Sequence, residues 1–328
     1  MILPRHCYLD DPRQSHTTMT EEIDYDAITW PAQLTNGVHR SMYPLLEPSN
    51  PSLSAAGKTV LVTGASGGIG RAIAQAWTTA GAKGIVITGR RLEALKELES
   101  ELGEISQGRT KVVVVQADMT QEDEVKQLWQ AAAKELGTMD VLINNAGSLT
   151  QARLGQDAPS KWWHDFEVNV KAPHLNIHHF LAQSTQPQGT VITLSTGTLG
   201  GLYPDFSSYV PSKLASTKVM EFLHAEQAQV RCFSIFPGLV ATDMPPRQYL
   251  EFARDDPMLS GGLSLFLATP RAEWLRGCVV SVNWDLEEME GHREEILDKG
   301  LCRLGFTGAR FGRGGHWGAE TKERGCTP

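Results

Sequence analysis

The sequence predicts an α/β fold in which one doubly wound parallel sheet of about seven strands carries helices on both faces. Three observations support this. Between about residues 55 and 285, short β-branched runs alternate with longer helical stretches; repeated strand–helix units pack as parallel strands with right-handed crossovers. The strands are apolar at successive positions, Val112-Val-Val-Val115 being the clearest, as expected when helices cover both faces of a sheet. The first strand also runs directly into a glycine-rich turn, Thr63-Gly-Ala-Ser-Gly-Gly-Ile-Gly70, that opens a helix.

In chain order, residues 1–54 lack sustained periodicity and contain Pro4, Pro12, Pro31, Pro44, Pro48 and Pro51, so they are expected to form an extended arm. Met19 offers an alternative start. Strands are expected at 59–63, 85–88, 111–115, 141–144, 190–194, 230–235 and 278–282, and helices at 72–79, 92–102, 122–136, 161–183 and 212–227. A further helix is expected near 285–299, which closes a single domain over 55–300. The remainder, 301–328, is rich in Gly and Arg and reads as a solvated tail rather than an RNA contact.

Composition narrows the function classes. With 41% hydrophobic residues among 328, the chain can bury a sizeable core. A formal net charge of -8 argues against nucleic acid as a partner. Five scattered cysteines (Cys7, Cys232, Cys278, Cys302 and Cys326) include no Cys-x-x-Cys, a pattern of a reducing compartment without a disulfide frame or zinc cluster. No apolar run approaches about 20 residues, and no long apolar stretch opens the chain, so no membrane span or secretory signal is expected. A cytoplasmic protein is the expectation.

Gly64, Gly68 and Gly70 suit a turn that brings backbone N–H groups up to a pyrophosphate at the positive end of the next helix. Their spacing, Gly-x-x-x-Gly-x-Gly, departs from the strict Gly-x-Gly-x-x-Gly fingerprint. At the end of the second strand, where an NAD site usually has an acid, stands Gly89, followed by Arg90 and Arg91. Cations in place of an acid suit a 2′-phosphate and point to NADP(H). Asp118, after the third strand, is free to accept from an adenine amino group if Thr120 caps the following helix, as the Thr120/Asp123 spacing suggests.

Taken with Asn144-Asn-Ala-Gly147, Asn169, Tyr209-x-x-x-Lys213 and Pro237-Gly238, the chain resembles a short-chain dehydrogenase/reductase of the short, single-domain subgroup, which has a Rossmann-type fold. The ending Asn283-Trp-Asp285 and the proline-rich arm resemble fungal members. The resemblance implies hydride transfer between NADP(H) and a ketone, aldehyde or alcohol. Alternatives are reduction of a C=C bond and a non-redox scaffold, sensor or cyclase. Cofactor contacts are implied for Ser66, Ile69, Asn145 and Ala146, for Pro237, the Val240 backbone and Thr242, and for Tyr209 and Lys213.

Residue chemistry supports the same reading. Hydride delivery to a carbonyl leaves an alkoxide that needs a proton, and Tyr209 is the expected general acid or base. Lys213, at i+4, shares a helix face with Tyr209 and is expected to lower the phenol pKa. The family serine has no plain counterpart. Thr196 lies thirteen residues before Tyr209 at the usual spacing, with Ser195 one earlier; alternation along a strand puts them on opposite faces. Spacing favours Thr196. Asn169 is implied to hold a water in the proton relay. No metal is expected: His174, His178 and His179 lack a further ligand at suitable spacing. Trp162-Trp163 reads as packing or an oligomer contact, dimer or tetramer by resemblance. A lid over 244–252, with Met244, Tyr249 and Phe252, points to an apolar or aromatic substrate.

Overall fold

The computed structural model describes residues 24–26, 28–151 and 153–305. Cys7, Met19, Cys326 and most of the expected tail lie outside the described residues. Among the described residues, seven strands form one sheet: β1 Thr59–Thr63, β2 Gly84–Gly89, β3 Lys111–Gln116, β4 Val141–Asn144, β5 Gly189–Leu194, β6 Val230–Phe236 and β7 Val279–Ser281. Every pairing is parallel, in the order β3-β2-β1-β4-β5-β6-β7. The order reverses direction between β1 and β4, so the segments leaving these two strands flank a crevice at their carboxyl ends, where open α/β sheets bind ligands.

The helices are α1 Gly68–Thr79, α2 Leu92–Ser106, α3 Glu122–Leu136, α4 Pro159–Phe166, α5 Ala172–Ala182, α6 Tyr209–Glu226, α7 Met258–Leu267, α8 Leu286–Gly291 and α9 Arg293–Lys299. Successive strand residues serve opposite faces. Val60, Val62, Ile85, Ile87, Val141, Ile143, Phe233 and Ile235 pack in one core with α1, α2 and α7 through Ile73, Trp77, Leu98, Leu263 and Phe266. Leu61, Val86, Leu142, Val191 and Cys232 pack in the other with α3, α5 and α6 through Leu128, Trp129, Phe180 and Met220. The unbroken apolar runs thus reflect two buried faces. β3, at the sheet edge, is half-buried at Val112, Val113, Val114 and Val115 and exposed at Lys111 and Gln116.

Three elements depart from the expectation. The helix expected over 161–183 is α4, one π-turn at Glu167–Lys171, and then α5. α7 did not stand out in the sequence because it is apolar all round: every residue of 259–267 is buried, so no 3.6-residue stripe separates core from solvent. The stretch before β1 is irregular but packed. Leu45, Leu46 and Leu53 belong to the first core, the Trp284 indole donates to Ala32 O at 2.7 Å, and Val38 forms an antiparallel bridge to Trp284. No helix of the described residues is long and apolar enough to cross a membrane.

Candidate active site

The turn after β1 is held by the segment after β4. Thr63 Oγ1 accepts from Asn145 N and Ala146 N, both at 3.0 Å. The Asn145 amide donates to Thr63 O at 2.9 Å and Gly64 O at 3.1 Å, so this side chain shapes the turn. Gly64 has φ +64°, and a Cβ there would stand 2.8 Å from Ala146 Cα; neither the conformation nor the space admits a side chain. α1 starts with no side-chain cap and no acid in its first turn, so its first N–H groups are left to donate to an anion. A Cβ on Gly68 would stand 2.9 Å from Thr242 Cγ2, which places Thr242 directly over the turn, while Val240 is buried on the same segment. The Arg91 guanidinium reaches the turn as well, with Nη2 donating to Ser66 O at 3.3 Å. Arg90 is exposed beside it. These residues fit a dinucleotide: an uncapped helix start, an open glycine turn and a cation where the second strand ends.

Asp118 is not left free. Its Oδ1 accepts from Thr120 N at 2.9 Å and Thr120 Oγ1 at 2.8 Å. The expected Thr120 cap is absent, because Gln121 is the residue before α3 and no side chain caps that helix. The Thr120 hydroxyl is drawn instead to the nearer charged acceptor. These hydrogen bonds hold the Asp118 carboxyl below its ordinary range against the opposing effect of burial.

The expected catalytic side chains converge on the other side of the crevice. Tyr209 is the first residue of α6 and is 8% exposed. Thr196, the residue that follows β5 by two, lies near enough for its hydroxyl to act on the phenol, while that hydroxyl pairs with Thr198 Oγ1 at 3.1 Å and accepts from Thr198 N at 3.3 Å. Ser195 turns the opposite way, its Oγ 2.6 Å from Thr217 Oγ1; that hydroxyl in turn donates to Lys213 O at 2.8 Å. Between the two alternatives, Thr196 is the one beside the phenol. Lys213 is buried and donates from Nζ to Leu194 O at 2.7 Å. A methyl at Gly147 would stand 3.3 Å from Asn169 Oδ1, 3.4 Å from Lys213 Nζ and 3.6 Å from Met244 Cε. One small volume is therefore walled by the loop after β4, the π-turn, α6 and the segment after β6.

The electrostatics differ from expectation. Burial pushes the Tyr209 phenol up to about 12, with the nearby Thr196 hydroxyl pulling down and the Asp165 charge pushing up. Burial pulls Lys213 down to about 8, with Asp165 opposing. Lys213 is directed at a carbonyl rather than at the phenol, so desolvation governs both groups. Tyr209 thus holds its proton at neutral pH, and Lys213 is the group that titrates near it.

Asn169 sits in the π-turn and is 1% exposed. Its Nδ2 donates to Ser148 O and Ser212 Oγ, both at 2.9 Å, and its Oδ1 accepts from Ser148 N at 3.0 Å. Next to it lies a group that sequence reasoning missed. Asp165, fully buried on α4, accepts from Ser148 Oγ at 2.7 Å, Thr150 N and Thr150 Oγ1 at 3.0 Å, and Ser208 Oγ at 2.7 Å. It ties the loop after β4 to the residue preceding Tyr209. The available signal was an acid four positions before Asn169, on the same helix face.

Phe206 stands between Tyr209 and Tyr249, with ring centroids 6.4 and 6.2 Å away. Phe252 is buried against Tyr25 at 6.5 Å, so of the three residues that suggested an apolar substrate, this one packs inward on the arm. Trp162 stacks on Phe166 at 5.0 Å, while Trp163 is largely exposed.

A family model described as short chain dehydrogenase matches residues 58–250. Short chain dehydrogenase pigC of Monascus ruber is 28% identical over 310 residues, 90% of this chain and 98% of the relative. Short chain dehydrogenase andI of Emericella variicolor is 32% identical over 262 residues, 76% of this chain and 89% of the relative. Among solved structures, a dehydrogenase/reductase from Sinorhizobium meliloti 1021 aligns with a TM-score of 0.63 at 28% identity, covering 70% of this chain and 95% of its own.

Proposed function

The chain belongs to the short chain dehydrogenase family, and from that premise we propose that it is an NADP(H)-dependent carbonyl reductase, or an alcohol dehydrogenase in the reverse direction. The observation that carries the reading is a buried Tyr209 that keeps its proton, with the Thr196 hydroxyl next to its phenol and with Lys213 and Asn169 lining the same crevice.

Gly64, Ser66, Gly68, Ile69 and Gly70 would hold the pyrophosphate, and Val240 and Thr242 the nicotinamide end. Bound NADP(H) supplies or accepts the hydride. Thr196 orients the substrate oxygen by a hydrogen bond, and Tyr209 Oη delivers the proton to it in reduction. The positive charge of Lys213 lowers the cost of the phenolate left behind. Both amide hydrogens of Asn169 are already committed, so we assign its part in proton relay to its backbone, where the π-turn departs from ordinary i,i+4 pairing. The 2′-phosphate reading rests on Arg91 reaching the turn at Ser66 and on a glycine, Gly89, where an acid would repel that group.

Incubating the protein with NADPH and a panel of ketones and aldehydes, while following loss of reduced-cofactor absorbance, tests the activity. Turnover with at least one carbonyl supports it; tight NADPH binding with no turnover on any would favour a non-redox role. In Arg91→Ala, NADPH affinity should fall about tenfold with NADH affinity little changed. An equal loss for both nucleotides contradicts the 2′-phosphate assignment.

A further inference from the structure

The segment after β6 enters the site twice, through Thr242 over the glycine turn and through Met244 near Lys213 and Asn169. A side chain from the stretch before β1 holds the far end of that segment directly and the near end through Asp255. Arg40 Nε donates to Asp255 Oδ1 at 2.9 Å, and Arg40 Nη2 donates to Phe252 O at 2.9 Å, the last residue of the 3₁₀ turn Arg247–Phe252. The Asp255 side chain has no exposed surface. Its other oxygen, Oδ2, accepts from Leu239 N at 2.6 Å, one residue before Val240. The approach depends on Gly238: its φ is +72°, and a Cβ there would stand 2.5 Å from Asp255 Oδ2. Asn283 Nδ2 supplies a third hydrogen bond to Asp255, to Oδ1 at 2.9 Å. Arg40 Nη1 is anchored in turn by Asp26 Oδ1 at 2.6 Å and Tyr25 O at 3.1 Å, and Arg254 stacks over the Tyr25 ring at 3.3 Å.

We propose that Arg40, acting through the buried Asp255 carboxylate, is a positioning residue for the nucleotide-facing segment 239–252. The inference rests on the nicotinamide reading above. A buried carboxylate that loses its cation must protonate, move or admit water. Each outcome loosens the short hydrogen bond to Leu239 N and with it the backbone that would meet the nicotinamide. Loss of the Phe252 contact frees the opposite end, which leads back to Met244. The effect belongs to nucleotide binding and to the mobility of this one segment; the sheet, tied through its own hydrogen bonds, should not share it.

The test uses the full chain with Arg40→Met and Arg40→Lys, each checked for folding by thermal melt. Amide hydrogen exchange is read first, on the free protein. Arg40→Met should speed exchange at Leu239 by about tenfold or more, with amides of β1 and β4 unchanged. NADPH titration by fluorescence should then show about a tenfold rise in the dissociation constant, with kcat at saturating NADPH close to wild type. Arg40→Lys, which keeps the charge and loses the fork, should lie between. If Arg40→Met does not fold, Arg40→Lys carries both readouts. Exchange and affinity within twofold of wild type in a folded variant would overturn the proposal, as would faster exchange spread evenly over the sheet. If the wild type binds no NADPH, the cofactor reading fails by itself, and the exchange at Leu239 still decides the clamp.

Discussion

Ser195 and Thr196 are neighbours in sequence, yet their hydroxyls leave the end of β5 in opposite directions, one to Thr217 and one to Thr198, next to the Tyr209 phenol. Removing them should have unequal consequences. Thr196→Ala should lower kcat/KM by about 10²-fold, a usual cost of losing one oriented hydrogen bond to a developing charge. Ser195→Ala should leave turnover within a few-fold and lower the melting temperature instead; steady-state kinetics of the two variants with one substrate separates the roles. The pH dependence of reduction follows from the two perturbed groups. Tyr209, pushed up to about 12, keeps its proton throughout the working range. Lys213, pulled down to about 8, carries its charge below that pH and loses it above. kcat/KM for reduction should therefore be level on the acid side and fall as pH rises through about 8; a profile level to pH 10 contradicts the part given to Lys213. Thirteen-residue spacing pointed to Thr196 and i+4 spacing to Lys213. Neither spacing could show that Lys213 would donate to Leu194 O, because that carbonyl is supplied by a strand nineteen residues earlier.

Elements buried on two faces were the most legible. β1 and β4 run over the expected residues, and α3 does too. What periodicity alone missed was set by tertiary packing. The π-turn at Glu167–Lys171 interrupts an otherwise helical pattern and places Asn169 between Ser148 and Ser212. α7 carries no polar stripe and holds two adjacent glycines, Gly261 and Gly262. Those glycines let neighbours approach: a Cβ on Gly261 would stand 3.2 Å from Ala72 O, and one on Gly262 2.8 Å from Leu46 Cβ. The stretch before β1 behaves as part of the same layer. Leu46 is fully buried there, so Leu46→Ala should cost about 2–5 kcal/mol by the usual transfer and cavity terms, measured by denaturant unfolding. A loss below about half a kcal/mol would mean that this stretch is not packed on the fold in solution.

Across the whole molecule, the strand order explains why residues spread from Gly64 to Thr242 meet. The turn after β1 and the loop after β4 leave adjacent strands at the reversal of the sheet, and α6 and the segment after β6 close over them from the far side. That much was legible, because glycines, paired asparagines and the Tyr-Lys helix each announce themselves locally. The supports behind them were not. Arg40 and Asp255 are 215 positions apart, and a serine at 148 or 208 has no visible partner until Asp165 is placed between them. The account rests on one proton donor held ready beside a nucleotide site, and it is tested most directly by Tyr209→Phe, with NADPH binding and carbonyl reduction measured on the same preparation. The expected result is nucleotide affinity within a few-fold of wild type and turnover lower by about 10²-fold or more. Undiminished turnover in that variant would contradict it.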